Sequence, residues 1–264
     1  MSLTESYKSE IGDAEKSQLA SDLFKIQPVK AFRALMRLFK DKEDTSQVFE
    51  IMRALSGKSI PKGYARLLSS PGGGAIAFRR QELAQVLSDR AFLKTLPEGS
   101  VGRAYLDFTT RENISAQGLI DESRKGAVAG IDNDHPYAWY GRRLRDVHDL
   151  WHVLTGYNRD AMGEACLASF SSVQMRSLGF GFIAVGAAFK LRSILPGQPV
   201  FRTVWEAYNH GKGAKWLPGE DYLRLLAEPL ENARLRLYIS RPLTYEAVPQ
   251  AVRDSLGADL KAVA

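Results

Sequence analysis

Apolar residues recur at three- and four-residue spacings over long stretches of the chain, and strictly alternating runs are scarce, a pattern that predicts an all-α protein. In PVKAFRALMRLFKD, residues 28–41, Val29, Phe32, Leu35, Met36 and Phe39 fall on one helical face. A second helix is expected from Thr45 to Leu55 with Val48, Ile51, Met52 and Leu55 inward, and Pro61 suits the first turn of a third. GRAYLDFTT, residues 102–110, reads as another amphipathic helix. The glycine amides of SPGGGA, residues 70–75, invite a phosphate-loop reading, but the GK[ST] ending and a preceding strand are missing, so a turn between helices is expected. Residues 118–135, with three glycines and several acids, read as a loop.

The most apolar run, LGFGFIAVGAAF at residues 178–189, is shorter than the roughly 20 residues that span a bilayer. Gly179, Gly181, Ala184, Gly186, Ala187 and Ala188 leave little bulk on it, so a neighbouring helix or an aliphatic ligand could approach closely. A buried core helix and a lipid-binding wall are both compatible with that surface. The prolines of LPGQP, residues 195–199, end the element.

Composition narrows the class without changing the fold. With 264 residues, 45% hydrophobic and 25% charged, one large domain is expected. A single cysteine, Cys166, rules out an internal disulfide framework and any multi-cysteine zinc knuckle. Metal ligands must then come from His, Asp and Glu. The opening MSLTESYKSEIGDAEKSQ has no apolar signal core, and its acids argue against a transit peptide, so the expectation is a cytoplasmic protein. The net charge of +6 favours anionic membranes or acidic partners. Basic residues are scattered among acids and no nucleic-acid module is recognisable, so nucleic acid is not the expected partner.

The candidate chemistry lies in RDVHDLWHVLTGYNRDAMGEACL, residues 145–167, which holds two of the four histidines. A helix from Pro136 to about Thr155, with His135 or Asp134 at its cap and Gly156 as its stop, puts His148, Asp149 and His152 on one arc. Asp160 is a fitting N-cap for the next helix, whose first turn carries Glu164, and a tight hairpin would bring that carboxylate opposite the histidines. Two imidazoles with one or two carboxylates suit Zn²⁺ or Fe²⁺ better than Mg²⁺. The plainer alternative is a set of ion pairs between the histidines and Asp146, Asp149 or Glu164. Asp149 could be a ligand, an orienter of His152 or a base. Arg145 could hold a substrate carboxylate or pair with Asp149 four residues on. Tyr105 and Tyr157 read chiefly as buried packing, His135 as a cap and His210 as a helix-end histidine.

The HDxxH pair of His148, Asp149 and His152, followed after eleven residues by Glu164, resembles the signature of the coenzyme Q biosynthesis protein 4 family. LPEGSVGRAYLDF (96–108), LRDVHDLWHVLTGYNRDAMGE (144–164) and EPLENARLRLYI (228–239) look like family segments in the family's order. SPGGGA and Trp216 within AKWLPGEDY depart from it. The resemblance implies a polar arm at 1–27, a helical domain at 28–240 and a C-terminal tail at 241–264. It also implies metal ligation by His148, Asp149, His152 and Glu164, zinc before iron; the residues' own spacing makes Asp149 and Arg145 the expected catalytic residues. Implied as well are a homodimer at the inner membrane surface of a bacterium, other ubiquinone biosynthesis proteins as partners, and a polyprenylated benzoquinone precursor as ligand. Its prenyl tail would lie along Phe182, Val185, Gly186 and Phe189. Two roles follow from the resemblance, oxidative decarboxylation at ring carbon 1 and scaffolding of the biosynthetic complex. A zincin-like hydrolase is weaker, because the glutamate of HExxH is an aspartate here.

Overall fold

The structure, a computed structural model, describes residues 25–40, 46–114 and 135–258. Most of the 118–135 loop and residues 1–24 of the arm lie outside the described residues. The described residues form helices and no strand, with one isolated bridge between Ser100 and Pro229. The expected all-α class is therefore what the chain adopts.

The first helices follow the apolar pattern: α1 Pro28–Lys40, α2 Ser46–Leu55 and α3 Ser59–Ser69. Helix α1 buries only part of the face that its large apolar residues define, Leu35 and in part Phe39. Ala31 and Ala34 are sealed and Leu35 nearly so, while Val29, Phe32 and Met36 are exposed. Small residues allow the close approach of α2, and the wider apolar side is left outside. The turn after α3 contains Gly72 at φ +74°, a left-handed conformation suited to glycine. Helix α4 Gly73–Arg79 starts inside SPGGGA, which is thus a turn between helices.

Helices α5 Leu83–Ser88, α6 Arg90–Thr95 and α7 Val101–Arg111 lead to α8 Pro136–Asp146 and α9 His148–Thr155. The single helix expected from Pro136 to Thr155 is interrupted at Val147, with φ −90° and ψ 1°. The interruption has a tertiary cause. Asp146, 3% exposed, accepts the Ala84 N–H of α5 and the Arg145 guanidinium, so the end of α8 is anchored elsewhere. His135 caps α8 through Nδ1 and Pro136 opens it.

The core is built on α10 Ala161–Gln174, α11 Leu178–Ile194 and α12 Val200–Gly213. Helix α10 is apolar on nearly every side, as a central helix must be. Leu150, Trp151 and Leu154 of α9 and Phe170 of α10 are fully buried with Tyr105 of α7 beside them. A 3₁₀ turn, Leu217–Gly219, is followed by α13 Tyr222–Ala227, α14 Leu230–Arg236, α15 Leu243–Glu246 and α16 Gln250–Ala258. Residues of the expected C-terminal tail join the core: Tyr245 and Val248 pack with Tyr157, Met162 and Cys166.

Helix α11 meets another helix along part of its small-residue surface. A Cβ built on Gly186 would stand 2.8 Å from Leu35 and 3.3 Å from Phe39 of α1, and one on Gly179 would stand 2.8 Å from Met52 of α2. Phe182 is half-buried against the α1–α2 pair, whereas Val185 and Phe189 face outward. The four residues expected to line one groove are thus divided between two environments. No helix among the described residues is long and apolar enough to cross a membrane.

Candidate metal centre

Helix α9 presents His148 at its first position and His152 one turn on. Gly156, at φ +79°, terminates it and donates its N–H to the His152 carbonyl at 2.9 Å. The last carbonyls of α9 are met from far along the chain: Arg234 of α14 donates to Val153 O and Leu154 O, both at 2.9 Å. After Gly156 the chain reverses. Asp160 Oδ1 accepts the N–H groups of Met162 and Gly163 at 3.1 and 3.0 Å, capping α10 and placing Glu164 in its first turn. Gly163 has no alternative here, because a Cβ would lie 1.9 Å from the Asn158 carbonyl oxygen.

The hairpin collects His148, His152 and Glu164, each offering a ligand atom within 4.8 Å of the others. His148 Nε2 lies 3.7 Å from Glu164 Oε2, and His152 Nε2 lies 3.5 Å from Oε1. Two metal bonds of about 2.1 Å at a tetrahedral angle hold their donor atoms about 3.4 Å apart, so these separations suit a shared ion better than a direct hydrogen bond. His152 supplies the sharper test. Its Nδ1 lies 2.9 Å from the Tyr157 carbonyl, which can only accept, so the proton belongs on Nδ1 and Nε2 presents a lone pair. That Nε2 is buried and has no hydrogen-bond partner. A lone pair facing a carboxylate needs a proton or a metal ion between them, and the donor set fits a divalent metal in that place.

Burial is graded across the group. The His152 side chain is fully enclosed, with Phe108 stacked on its ring at 5.6 Å, whereas His148 and Glu164 are 27% and 39% exposed. Partial burial works against a charged His148, but the Glu164 carboxylate, with Asp149 behind it, raises its pKa above the ordinary value. Burial likewise works against Glu164, and without a metal the two imidazoles, when protonated toward it, overcome burial and hold its carboxyl far below the usual range.

Asp149 is 7% exposed and is not one of the three groups that converge. Arg145 is paired with Asp146 at 2.7 Å and not with Asp149, because the interruption at Val147 breaks the helical register between them. Tyr105 and Tyr157 are buried, each 1% exposed. His210 stands outside the group, its Nδ1 3.3 Å from the Tyr157 hydroxyl. One neighbouring cation was not anticipated: Arg159 Nε lies 3.7 Å from Glu164 Oε1. Its position beside the N-cap Asp160 was the available signal, since whatever returns Glu164 to the histidines returns Arg159 with it.

Residues 23–242 match the family model for coenzyme Q (ubiquinone) biosynthesis protein Coq4. A mitochondrial ubiquinone biosynthesis protein coq4 of Penicillium rubens is 29% identical over 192 residues, 71% of this chain and 63% of that protein. The corresponding protein of Neurospora crassa is 32% identical over 178 residues, covering 67% and 48%. The chain therefore spans less than two thirds of the length of these relatives. A crystal structure described as that of a candidate ubiquinone biosynthesis protein from Nostoc punctiforme shares the fold. Its TM-score is 0.58 at 17% identity, over 82% of this chain and all of that one. With 23–242 matched and the HDxxH hairpin within that span, the chain belongs to the Coq4 family of coenzyme Q biosynthesis proteins.

Proposed function

We propose that this protein serves ubiquinone synthesis as a metal-dependent oxidative decarboxylase, acting on a polyprenylated 4-hydroxybenzoate-type precursor and replacing its ring carboxylate with hydroxyl at carbon 1, while the carboxylate leaves as CO₂ and dioxygen takes up the two electrons. The observation that carries the reading is the graded exposure of the triad. Three protein donors, one sealed and two reaching the surface, leave a coordination position for an outside ligand, as catalytic sites do and closed structural sites do not.

His148, His152 and Glu164 would hold zinc or iron, with Asp149 as a further ligand or as the base. Held by these residues, a divalent ion would supply a Lewis acid for the carboxylate or phenol oxygen of the precursor. The residues around it do the rest. Phe108 keeps water from the His152 side, and Tyr157 fixes that imidazole through its carbonyl. Arg159, half-exposed beside Glu164, is placed to take the substrate carboxylate, and Arg145 is the second candidate for that role. Val185 and Phe189, with Phe201 and Trp205 of α12, would meet the prenyl tail or the membrane surface that delivers it.

Exposed apolar residues on both α1 and the α11–α12 face favour a second reading, a lipid-bound scaffold that dimerises through those faces. One experiment separates the two. Glu164→Gln, expressed in cells lacking the native gene, should abolish ubiquinone and accumulate the carboxylated prenyl precursor. Normal ubiquinone from a protein that has lost its metal would leave only the scaffold.

A further inference from the structure

The turn that joins the two ligand-bearing helices is held by a residue beyond the family-matched span. Tyr245 of α15 is completely buried. Its hydroxyl donates to Asp160 Oδ2 and accepts the Asn158 N–H at 3.2 Å. Its ring meets Tyr157 edge-on at 5.5 Å, and the Arg253 guanidinium covers it at 4.4 Å. Tyr245 thus touches three residues of the turn from 156 to 160, and two of them govern the ligands. Tyr157 aims His152 through its carbonyl, and Asp160 fixes the start of the helix that carries Glu164.

Each neighbour of Tyr245 is itself anchored. Thr244 donates its N–H to Glu206 of α12 at 3.0 Å, and its hydroxyl donates to the same carboxylate. Arg253 is held by Gln250 at 2.8 Å. Asp160 divides its oxygens, Oδ1 taking the two backbone donors and Oδ2 the phenol. A carboxylate bonded on both oxygens cannot rotate away from its cap, so the phenol limits the freedom of the first turn of α10.

We infer that Tyr245 is a positioning residue for the metal centre, acting through Asp160 and Tyr157 to set the separation of Glu164 from His148 and His152. The inference rests on the reading of those three residues as metal ligands. It adds the C-terminal helices α15 and α16 to the functional unit.

The test is a Co²⁺ titration of the full-length protein, followed by the visible absorption of the bound ion, on wild type, Tyr245→Phe, Asp160→Asn, the double variant and Glu164→Gln. Tyr245→Phe keeps the ring contacts and removes the hydroxyl. It should weaken Co²⁺ binding by roughly 10- to 100-fold, the range for lost outer-shell partners, at a temperature where circular dichroism shows it fully folded. The double variant should bind no more weakly than the weaker single one, since both substitutions break one bond. Affinity within twofold of wild type in folded Tyr245→Phe overturns the inference. Should Tyr245→Phe not fold, Asp160→Asn reads the same bond, and unaltered binding there overturns it equally. Wild type that binds no more Co²⁺ than Glu164→Gln would remove the metal reading itself, which is a different failure and visible as such.

Discussion

Glu164→Gln should uncouple thermal stability from metal. The side chain is 39% exposed and glutamine has its shape, so the metal-free fold should persist. Zinc held by four protein ligands binds with about 10–16 kcal/mol, or about 2.5–4 kcal/mol per ligand, so loss of one of the three donors here should weaken binding by roughly 10²- to 10³-fold. Metal at 100 times the dissociation constant stabilises wild type by about 2.7 kcal/mol. For a chain of this size that is a rise of roughly 5–10 °C in melting temperature. The variant, bound at least about 100-fold more weakly, would gain only about 0.4 kcal/mol at the same concentration, or about 1 °C. Differential scanning calorimetry with and without Zn²⁺ measures both shifts. Equal shifts in the two proteins would refute the assignment of Glu164 as a ligand and with it the tetrahedral argument from the 3.5 and 3.7 Å separations.

Metal affinity should rise with pH through the raised His148 value and release about one proton per ion, because the ligand must be neutral. Isothermal titration in buffers of different ionisation heat counts that proton, and a pH-independent affinity contradicts the scheme. Without metal, raised His148 stabilises below its ordinary pH of 6.5 and lowered Glu164 above its ordinary 4.5. Their joint contribution is therefore greatest between those values, and urea midpoints of wild type and Glu164→Gln should diverge most there. Gly186→Leu drives a side chain into Leu35 and Phe39, where even a Cβ stands at 2.8 Å, and overpacking of this kind costs about 1–3 kcal/mol. A melting temperature equal to wild type would show that α1 does not cover α11 in solution. Arg234→Met removes both donors to the end of α9 and should cost about 2 kcal/mol, or roughly 4–8 °C, in the same calorimeter.

The hairpin that gathers His148, His152 and Glu164 was legible because every signal in it is local. The four-residue histidine spacing, the Gly156 stop, the Asp160 cap and the first-turn Glu164 act within one turn of where they are written. The interruption at Val147 was not legible, since the residues around it suit a helix and its cause is Ala84 of α5. The alternative pairing of Arg145 with Asp149 gave way to Asp146 for the same reason. On α1 the large apolar residues marked one face, yet the chain packs Ala31 and Ala34, because close helix approach rewards small side chains. Arg234 and Tyr245 have no periodic signature at all. Their contacts join residues about 80 positions apart, which composition and spacing do not encode.

The caps that Arg234 gives to α9 also impose an order on biosynthesis. The histidines are translated well before the residue that satisfies the end of their helix, 80 positions later. Long-range contacts of this kind form late, after the loop between them has closed. An emerging chain would thus present its imidazoles on an uncapped helix until α14 has been made, and the finished geometry of the hairpin would await Arg234. An ion taken up at this site would then be captured after translation of α14 rather than during it.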